Sequence, residues 1–229
     1  MGVNLNSIDS LSDNQKDLIK KHLECVIEAN KVTNLTRIDS IDSGMLLHIE
    51  DSLAALEEAD KAPAGKYIDL GSGGGFPGFP LAIATGRKTT LIDARQRKVE
   101  LLNEFAEQLS LSDQIIAVHS RIEEFSRNHK GQYSLVTARA LSKLSILLEL
   151  ASPLLKQGGR LICYKARMEE SEFEHAKKIS KQVGFSLVSL DEYFLSDGET
   201  FRTLVVFEKI GPSKIKLPRR DGFAQNKPL

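Results

Sequence analysis

The run Asp69-Leu70-Gly71-Ser72-Gly73-Gly74-Gly75-Phe76-Pro77-Gly78 follows a β-prone segment, Tyr67 to Leu70, and precedes an apolar helical run, Pro80 to Ala84. A strand that turns through glycines into a helix is the opening unit of a parallel α/β sheet, because parallel strands need a crossover and a helix supplies it. Glycines let the backbone turn sharply and come close to a ligand, while the free N–H groups of a helix start attract a carboxylate or phosphate. The loop is therefore expected to contact a cofactor.

The rest of the chain fits that unit. Short β-prone runs at Thr89 to Ala94, Ile115 to Ser120, Ser134 to Thr137 and Arg160 to Lys165 alternate with helical patterns at Glu100 to Leu109 and Leu144 to Leu155. Gly158-Gly159 reads as the turn into the fifth strand. Phe185 to Leu190 and Thr200 to Lys209 are separated only by a loop, Tyr193 to Glu199, which predicts an antiparallel pair. Upstream, Ser12 with Gln15 reads as a capping box opening an amphipathic helix that carries Leu18, Ile19, Leu23, Val26 and Ile27. A second helical pattern, Leu46, Leu47, Ile49, Leu53 and Leu56, is stopped by Ala62-Pro63-Ala64-Gly65. The expectation is one α/β domain in three parts: an N-terminal helical cap (1–65), a Rossmann-like core with a seven-stranded, mostly parallel sheet (66–210), and a C-terminal tail (211–229).

Charge matters here only locally. The 31 basic and 31 acidic side chains cancel, so no bulk preference for nucleic acid follows, whereas the tail carries Lys214, Lys216, Arg219, Arg220 and Lys227 against Asp221 alone. Cys25 and Cys163 lack metal-ligand spacing and are too few for a disulfide framework, which points to a reducing cytoplasm and no metal site. No apolar run approaches the roughly 18 residues needed to span a bilayer, and Met1 to Ser12 shows no charged start followed by an apolar stretch, so neither membrane insertion nor secretion is expected.

Glycine spacing alone does not choose the cofactor: Gly73, Gly75 and Gly78 also satisfy the dinucleotide pattern, and a purely structural turn stays open. Two features favour S-adenosylmethionine. Asp69 stands where class I methyltransferases carry an acidic residue near the methionine ammonium, and Pro77 and Pro80 disturb the helix start that would hold a pyrophosphate. Asp93 ends the second strand, from which a carboxylate can accept both ribose hydroxyls, with a helix-capping role as the alternative. Ile122 and its neighbours after the third strand can grip an adenine ring, while Glu123 and Glu124 read equally well as solvated charges. Thr137-Ala138-Arg139-Ala140 ends the fourth strand at the ligand-binding edge of such sheets. It lacks the Asn or Asp followed by two prolines of amino-methylating enzymes, and neither cysteine follows a proline as a cytosine C5 nucleophile does.

Taken with Asn34-Leu35-Thr36, His48 with Asp51-Ser52, Phe76-Pro77-Gly78, Ser120-Arg121-Ile122-Glu123-Glu124-Phe125, Arg139-Ala140 and the ending Leu217-Pro218-Arg219-Arg220 with Lys227-Pro228-Leu229, the chain resembles one family over nearly its whole length. That family is the bacterial 16S ribosomal RNA guanine-N7 methyltransferases, also called glucose-inhibited division protein B. The tail differs in Leu217, where an aromatic residue is common, and in Phe223-Ala224-Gln225. The resemblance implies a class I S-adenosylmethionine-dependent fold, and that Gly71 and Phe76 line the cofactor, Ile122 and Glu123 meet its adenine side, and Arg139 lies where cofactor and acceptor join. Asp69, Gly73 and Asp93 complete the expected cofactor set.

The implied acceptor simplifies the chemistry. Guanine N7 has an in-plane lone pair and no proton, so its methylation needs no general base, and catalysis rests on orientation. Arginine reads the O6/N7 edge of guanine well, which makes Arg139 the leading candidate for orienting the base. Arg121, Lys165 and Arg202 are expected as outer RNA contacts. Lys216, Arg219 and Arg220 are expected to neutralise phosphates of 16S RNA within the small ribosomal subunit. A monomer is expected. The competing readings are a methyltransferase on another RNA, a protein or a small molecule, a noncatalytic RNA-binding assembly factor, and a nicotinamide-dependent oxidoreductase.

Overall fold

The computed structural model describes residues 3–229; Met1 and Gly2, which open the stretch read above for a leader, lie outside them. After a 3-10 turn at Leu5–Ser10, helix α1 (Asp13–Thr33) starts at the capping box: Gln15 N donates to Ser12 Oγ at 3.3 Å and Ser12 N to Gln15 Oε1 at 3.0 Å. It ends at Asn34 in the left-handed conformation, a frequent role for Asn past a helix end. Ile19, Leu23 and Val26 on its inner stripe are at most 1% exposed, each contributing roughly 2 kcal/mol by burial. The second helical pattern is broken into α2 (Ile41–Gly44), a π-helical turn (Met45–Glu50), α3 (Asp51–Leu53) and α4 (Leu56–Asp60). A π turn re-aims side chains and often marks a functional site; here His48, within it, and Asp51, directly after it, are both buried.

The core alternates as expected: β1 (Lys66–Leu70), α5 (Gly78–Thr85), β2 (Thr89–Asp93), α6 (Gln96–Gln108), β3 (Ile115–His119), α7 (Ile122–Asn128), β4 (Tyr133–Arg139), α8 (Leu144–Ala151), β5 (Leu155–Lys165), α9 (Glu170–Ser180), β6 (Phe185–Phe194) and β7 (Phe201–Lys209). The sheet order is β3-β2-β1-β4-β5-β7-β6, with β7 antiparallel to both its neighbours. The order reverses between β1 and β4, the switch point where open α/β sheets bind ligands. A short helix, α10 (Phe223–Asn226), closes the tail. No helix among the described residues is long and apolar enough to cross a membrane.

Boundaries shift by a few residues at several elements, among them the start of α6, and two of the shifts follow from strand pairing. The fifth strand begins at Leu155, where a helix was expected to continue to Leu155, and Gly158-Gly159 lies inside it. Tyr133 of β4 pairs with Leu155, and the register shifts before Leu135 meets Arg160, so long-range pairing carries the strand through a glycine bulge. Likewise β6 runs on to Phe194 because Tyr193 and Phe194 pair with Arg202 and Phe201.

Side chains alternate across the sheet with period two. On β1, β4 and β5, Ile68, Leu70, Val136, Ala138, Leu161 and Cys163 pack with α8 and α9 in one core. Tyr67, Leu135, Ile162 and Tyr164 face the cap, α5 and α6. The same alternation puts Asp69, Thr137 and Arg139 on the cap side. Register then sets Asp69 beside Thr137 and Arg139 beside Tyr164.

Candidate active site

Past β1 the glycine loop folds back on β2: Gly71 N and Ser72 N both donate to Ile92 O (2.8 and 3.1 Å), and Gly75 N donates to Ser72 O at 2.7 Å. The loop borders a cleft of about 320 Å³ walled by Gly71, Ile92, Asp93, Ile122, Leu141 and Gly222, among others. Gly71 sits at φ +70°, a conformation that favours glycine, and a Cβ there would stand 2.7 Å from Leu141 Cδ1. Asp93 is held by its surroundings, Oδ2 accepting from Gly73 N (3.1 Å) and Oδ1 from Arg95 N (2.9 Å). A carboxylate treated so keeps lone pairs for a ligand's hydroxyls.

Below the loop lies a buried polar chain. Thr137 Oγ1 donates to Asp69 Oδ1 at 2.6 Å and, its proton so used, accepts from the Tyr67 hydroxyl at 2.7 Å. Among the described residues, Asp69 Oδ2 is buried without a hydrogen-bond partner. Burial pushes the Asp69 carboxyl up to about 6, against the opposing pull of the Thr137 hydroxyl. His22 of α1 stacks on Phe79 (4.1 Å, 12°), and burial lowers it to about 3, so it is neutral.

A second cleft, of about 510 Å³, opens beneath the cap at the ends of β4, β5 and β7. Its walls include Leu47, His48, Asp51, Arg139, Tyr164 and Arg202, with Lys165 and Arg167 on the same lining. Arg139 Nη1 donates to Leu47 O (3.1 Å) and Asp51 Oδ2 (3.0 Å), and Nη2 to His48 Nδ1 (3.0 Å). Asp51 Oδ1 accepts from Arg202 Nε at 3.1 Å, so one carboxylate, 3% exposed, pins two arginines. A guanidinium only donates, which makes Nδ1 the acceptor and leaves Nε2–H of His48 to donate to Thr36 Oγ1 at 2.9 Å. Burial, reinforced by the Arg139 charge, holds His48 down at about 3, fixing that neutral form. His48 also stacks on Phe76 at 4.3 Å and 7°. The Tyr164 hydroxyl donates to Ser52 O at 2.7 Å, tying β5 to the cap. Ala140 lines both clefts and sits at φ +52°, a left-handed conformation costing a non-glycine residue roughly 1 kcal/mol or more.

Of the residues singled out from the sequence, Gly71, Asp93, Ile122, Glu123 and Arg121 line the first cleft, and Arg139, Lys165 and Arg202 the second. Gly73 fixes Asp93 from the side. Phe76 lines neither cleft; it is 5% exposed, stacked under His48 with the Arg139 guanidinium 5.8 Å from its ring centre, so it supports the arginine. Lys165 pairs with Glu172 at 2.8 Å. Lys216 and Arg220 are exposed on the tail and line neither cleft. Arg219, expected to face RNA, is turned inward because the acid on α8, Glu149, is buried and takes both ends of its guanidinium (2.7 and 2.6 Å). In the sequence His48 and Asp51 stand out only as marks of resemblance, and nothing local singles out Tyr164 or Arg167. An acid on the apolar stripe of a helix, three residues from a histidine, was the available signal for Asp51.

The family model described as rRNA small subunit methyltransferase G matches residues 15–193. The ribosomal RNA small subunit methyltransferase G of Lysinibacillus sphaericus is 35% identical over 222 residues, covering 96% of this chain and 93% of its own. That of Chloroflexus aggregans is 36% identical over 222 residues, covering 96% and 92%. Among solved structures, a Thermus thermophilus branched-chain polyamine synthase superposes with TM-score 0.62 at 14% identity over 76% of this chain and 59% of its own. A Streptomyces coelicolor geranyl diphosphate C-methyltransferase, in complex with S-adenosyl-L-homocysteine, does so with TM-score 0.52 at 13% identity over 69% and 80%. The solved structures share the fold, and the sequence matches, which run through both clefts, establish that this chain belongs to the rRNA small subunit methyltransferase G family.

Proposed function

We propose that this chain transfers the methyl group of S-adenosylmethionine to N7 of one guanine in the 16S RNA of the small ribosomal subunit, as a cytoplasmic monomer. The observation that carries the reading is the meeting of two clefts of different chemistry at Ala140, one with a fixed acceptor carboxylate between apolar walls, the other lined by cations. Family membership weighs against the dinucleotide alternative that glycine spacing left open. We also read the chain as one catalytic domain, with the cap (1–65) and the tail (211–229) as additions to the core (66–210).

The first cleft fits the cofactor in two respects. Gly71 of the glycine loop forms one side of it, and Asp93 offers lone pairs to ribose hydroxyls between the side chains of Ile92, Ile122 and Leu141. Beneath it, the buried carboxylate of Asp69 supplies negative charge to the methionine end. Once bound, S-adenosylmethionine supplies an electrophilic sulfonium methyl. The protein's work is then orientation, worth several kcal/mol when reacting atoms are held in line. Arg139 is clamped by Leu47 O, Asp51 and His48, which leaves N–H groups on Nε and Nη2 to donate to guanine O6. Both Asp51 oxygens face arginines, and the His48 Nδ1 lone pair is taken by Arg139, so these groups hold the base and move no proton. Arg167 and Arg202, with Lys165, supply positive charge for the RNA backbone.

The test is methyl transfer from labelled S-adenosylmethionine to small ribosomal subunits taken from cells lacking this protein. Label is expected in the RNA. Arg139→Ala is expected to keep the cofactor's affinity while losing most transfer, and an unlabelled RNA with wild-type protein overturns the reading.

A further inference from the structure

The tail was expected as a basic segment facing RNA, yet the structure straps it across the molecule. Leu217 is buried, and Ala224 is fully buried against Ile146 and Leu150 of α8. Arg219 bonds Glu149 through both Nε and Nη2 and also donates to Lys227 O at 2.8 Å. Glu149 is 3% exposed and is the one charged residue on a helix that is otherwise apolar but for Ser145. A carboxylate buried without a partner costs several kcal/mol, so α8 is built to be covered by this strap. A second anchor lies at the cleft itself, where Gly222 N donates to Oε1 of the buried Glu123 at 2.9 Å. The consequence is that Gly222 and Gln225 join Gly71, Asp93 and Ile122 in lining the first cleft.

Resting on the reading of that cleft as the cofactor site, we propose that the strap from Leu217 to Asn226 is a wall of it and that Gln225 recognises the adenine edge. Asp93 marks the ribose position at the end of β2, and the cleft continues past it to Ile122 and Glu123 at the start of α7, where the base lies. The strap covers that end. A carboxamide presents one acceptor and one donor group side by side, the complement of the adenine amine and its adjacent ring nitrogen. Glu123 acts as a positioning residue, holding Gly222 and through it the strap, with its second oxygen left for the ligand.

Gln225 is exposed, so Gln225→Ala leaves the core intact and tests the assignment directly. Calorimetry with S-adenosylhomocysteine and with S-inosylhomocysteine, in which a carbonyl replaces the adenine amine, reads affinity without any RNA. The wild-type protein is expected to prefer the adenine compound about tenfold, and Gln225→Ala to weaken it by about that factor and erase the preference, the scale of one hydrogen bond. Hydrogen exchange supplies the second measurement: S-adenosylhomocysteine should slow exchange of the amides of residues 217–226. A Gln225→Ala protein with unchanged affinity and preference overturns the role of Gln225, and unchanged exchange overturns the wall. If the wild-type protein binds neither compound, the cofactor reading itself falls and takes the proposal with it.

Discussion

Asp69→Asn should change how stability depends on pH. Asp69 is 1% exposed, and burial raises its carboxyl from its ordinary value of 3.8 to about 6. An acid whose folded value lies above its unfolded value holds its proton more tightly when folded, so its stabilising contribution is present at low pH and is lost as pH rises through about 6. Between about pH 7.5 and about pH 5 the wild-type protein should gain roughly 1 kcal/mol from this group alone. In a chain of this size that corresponds to a few degrees in Tm, about 2 to 4 °C per kcal/mol. Asparagine retains an oxygen for the Thr137 hydroxyl, now at 2.6 Å, but cannot titrate. Urea unfolding of both proteins at the two pH values isolates the effect as a difference of differences, cancelling every other titrating group. A wild-type-minus-variant difference that stays constant with pH, or that grows as pH rises, refutes the reasoning.

Gly75→Ala should lower Tm by roughly 10 °C, because φ is +90° and the added Cβ would meet Phe79, His22 and Leu102 at 2.7, 2.9 and 3.1 Å, all packed side chains; a calorimetric scan within a degree or two of wild type would contradict that packing. Asp51→Asn should cost about 2 kcal/mol by freeing two arginines from their shared carboxylate. It should slow methyl transfer at least about tenfold while leaving S-adenosylhomocysteine affinity near wild type, since Asp51 lines the acceptor side only; equal losses in both would move Asp51 out of that role. Lys216→Ala and Arg220→Ala should each reduce the slope of log affinity for RNA against log salt by about 0.7, as for one phosphate on a single strand. Arg219→Ala, by contrast, should show its main effect as a lowered Tm, through the buried Glu149 it leaves unpaired.

What could be read from the sequence was what neighbouring residues decide among themselves. The capping box at Ser12 and Gln15, the glycine turn after β1 and the alternation of strands and helices are set within a few residues, and each appears where expected. Boundaries decided by distant partners were not legible. The start of β5 at Leu155 depends on Tyr133, and the end of β6 on the start of β7. The site followed the same division. Arg139 and Asp93 could be placed at strand ends by position alone, whereas the clamp on Arg139 comes from residues 88 and 91 positions away. Arg219 looked like an RNA contact because its cluster is basic, and only the fold brings Glu149 to it across 70 positions. An acid within the apolar helix Leu144–Ala151 was the one local sign that a cation from elsewhere would be needed.

Methylation at N7 is read by chemical cleavage at N7-methylguanine in small-subunit RNA, comparing cells that carry this protein, cells that lack it, and subunits from the latter treated with purified protein and S-adenosylmethionine. Cleavage is expected at a single guanine, disappearing without the protein and returning on treatment. A cleavage pattern identical in all three, or methyl groups that return to the RNA on any atom other than N7, would contradict the proposed function.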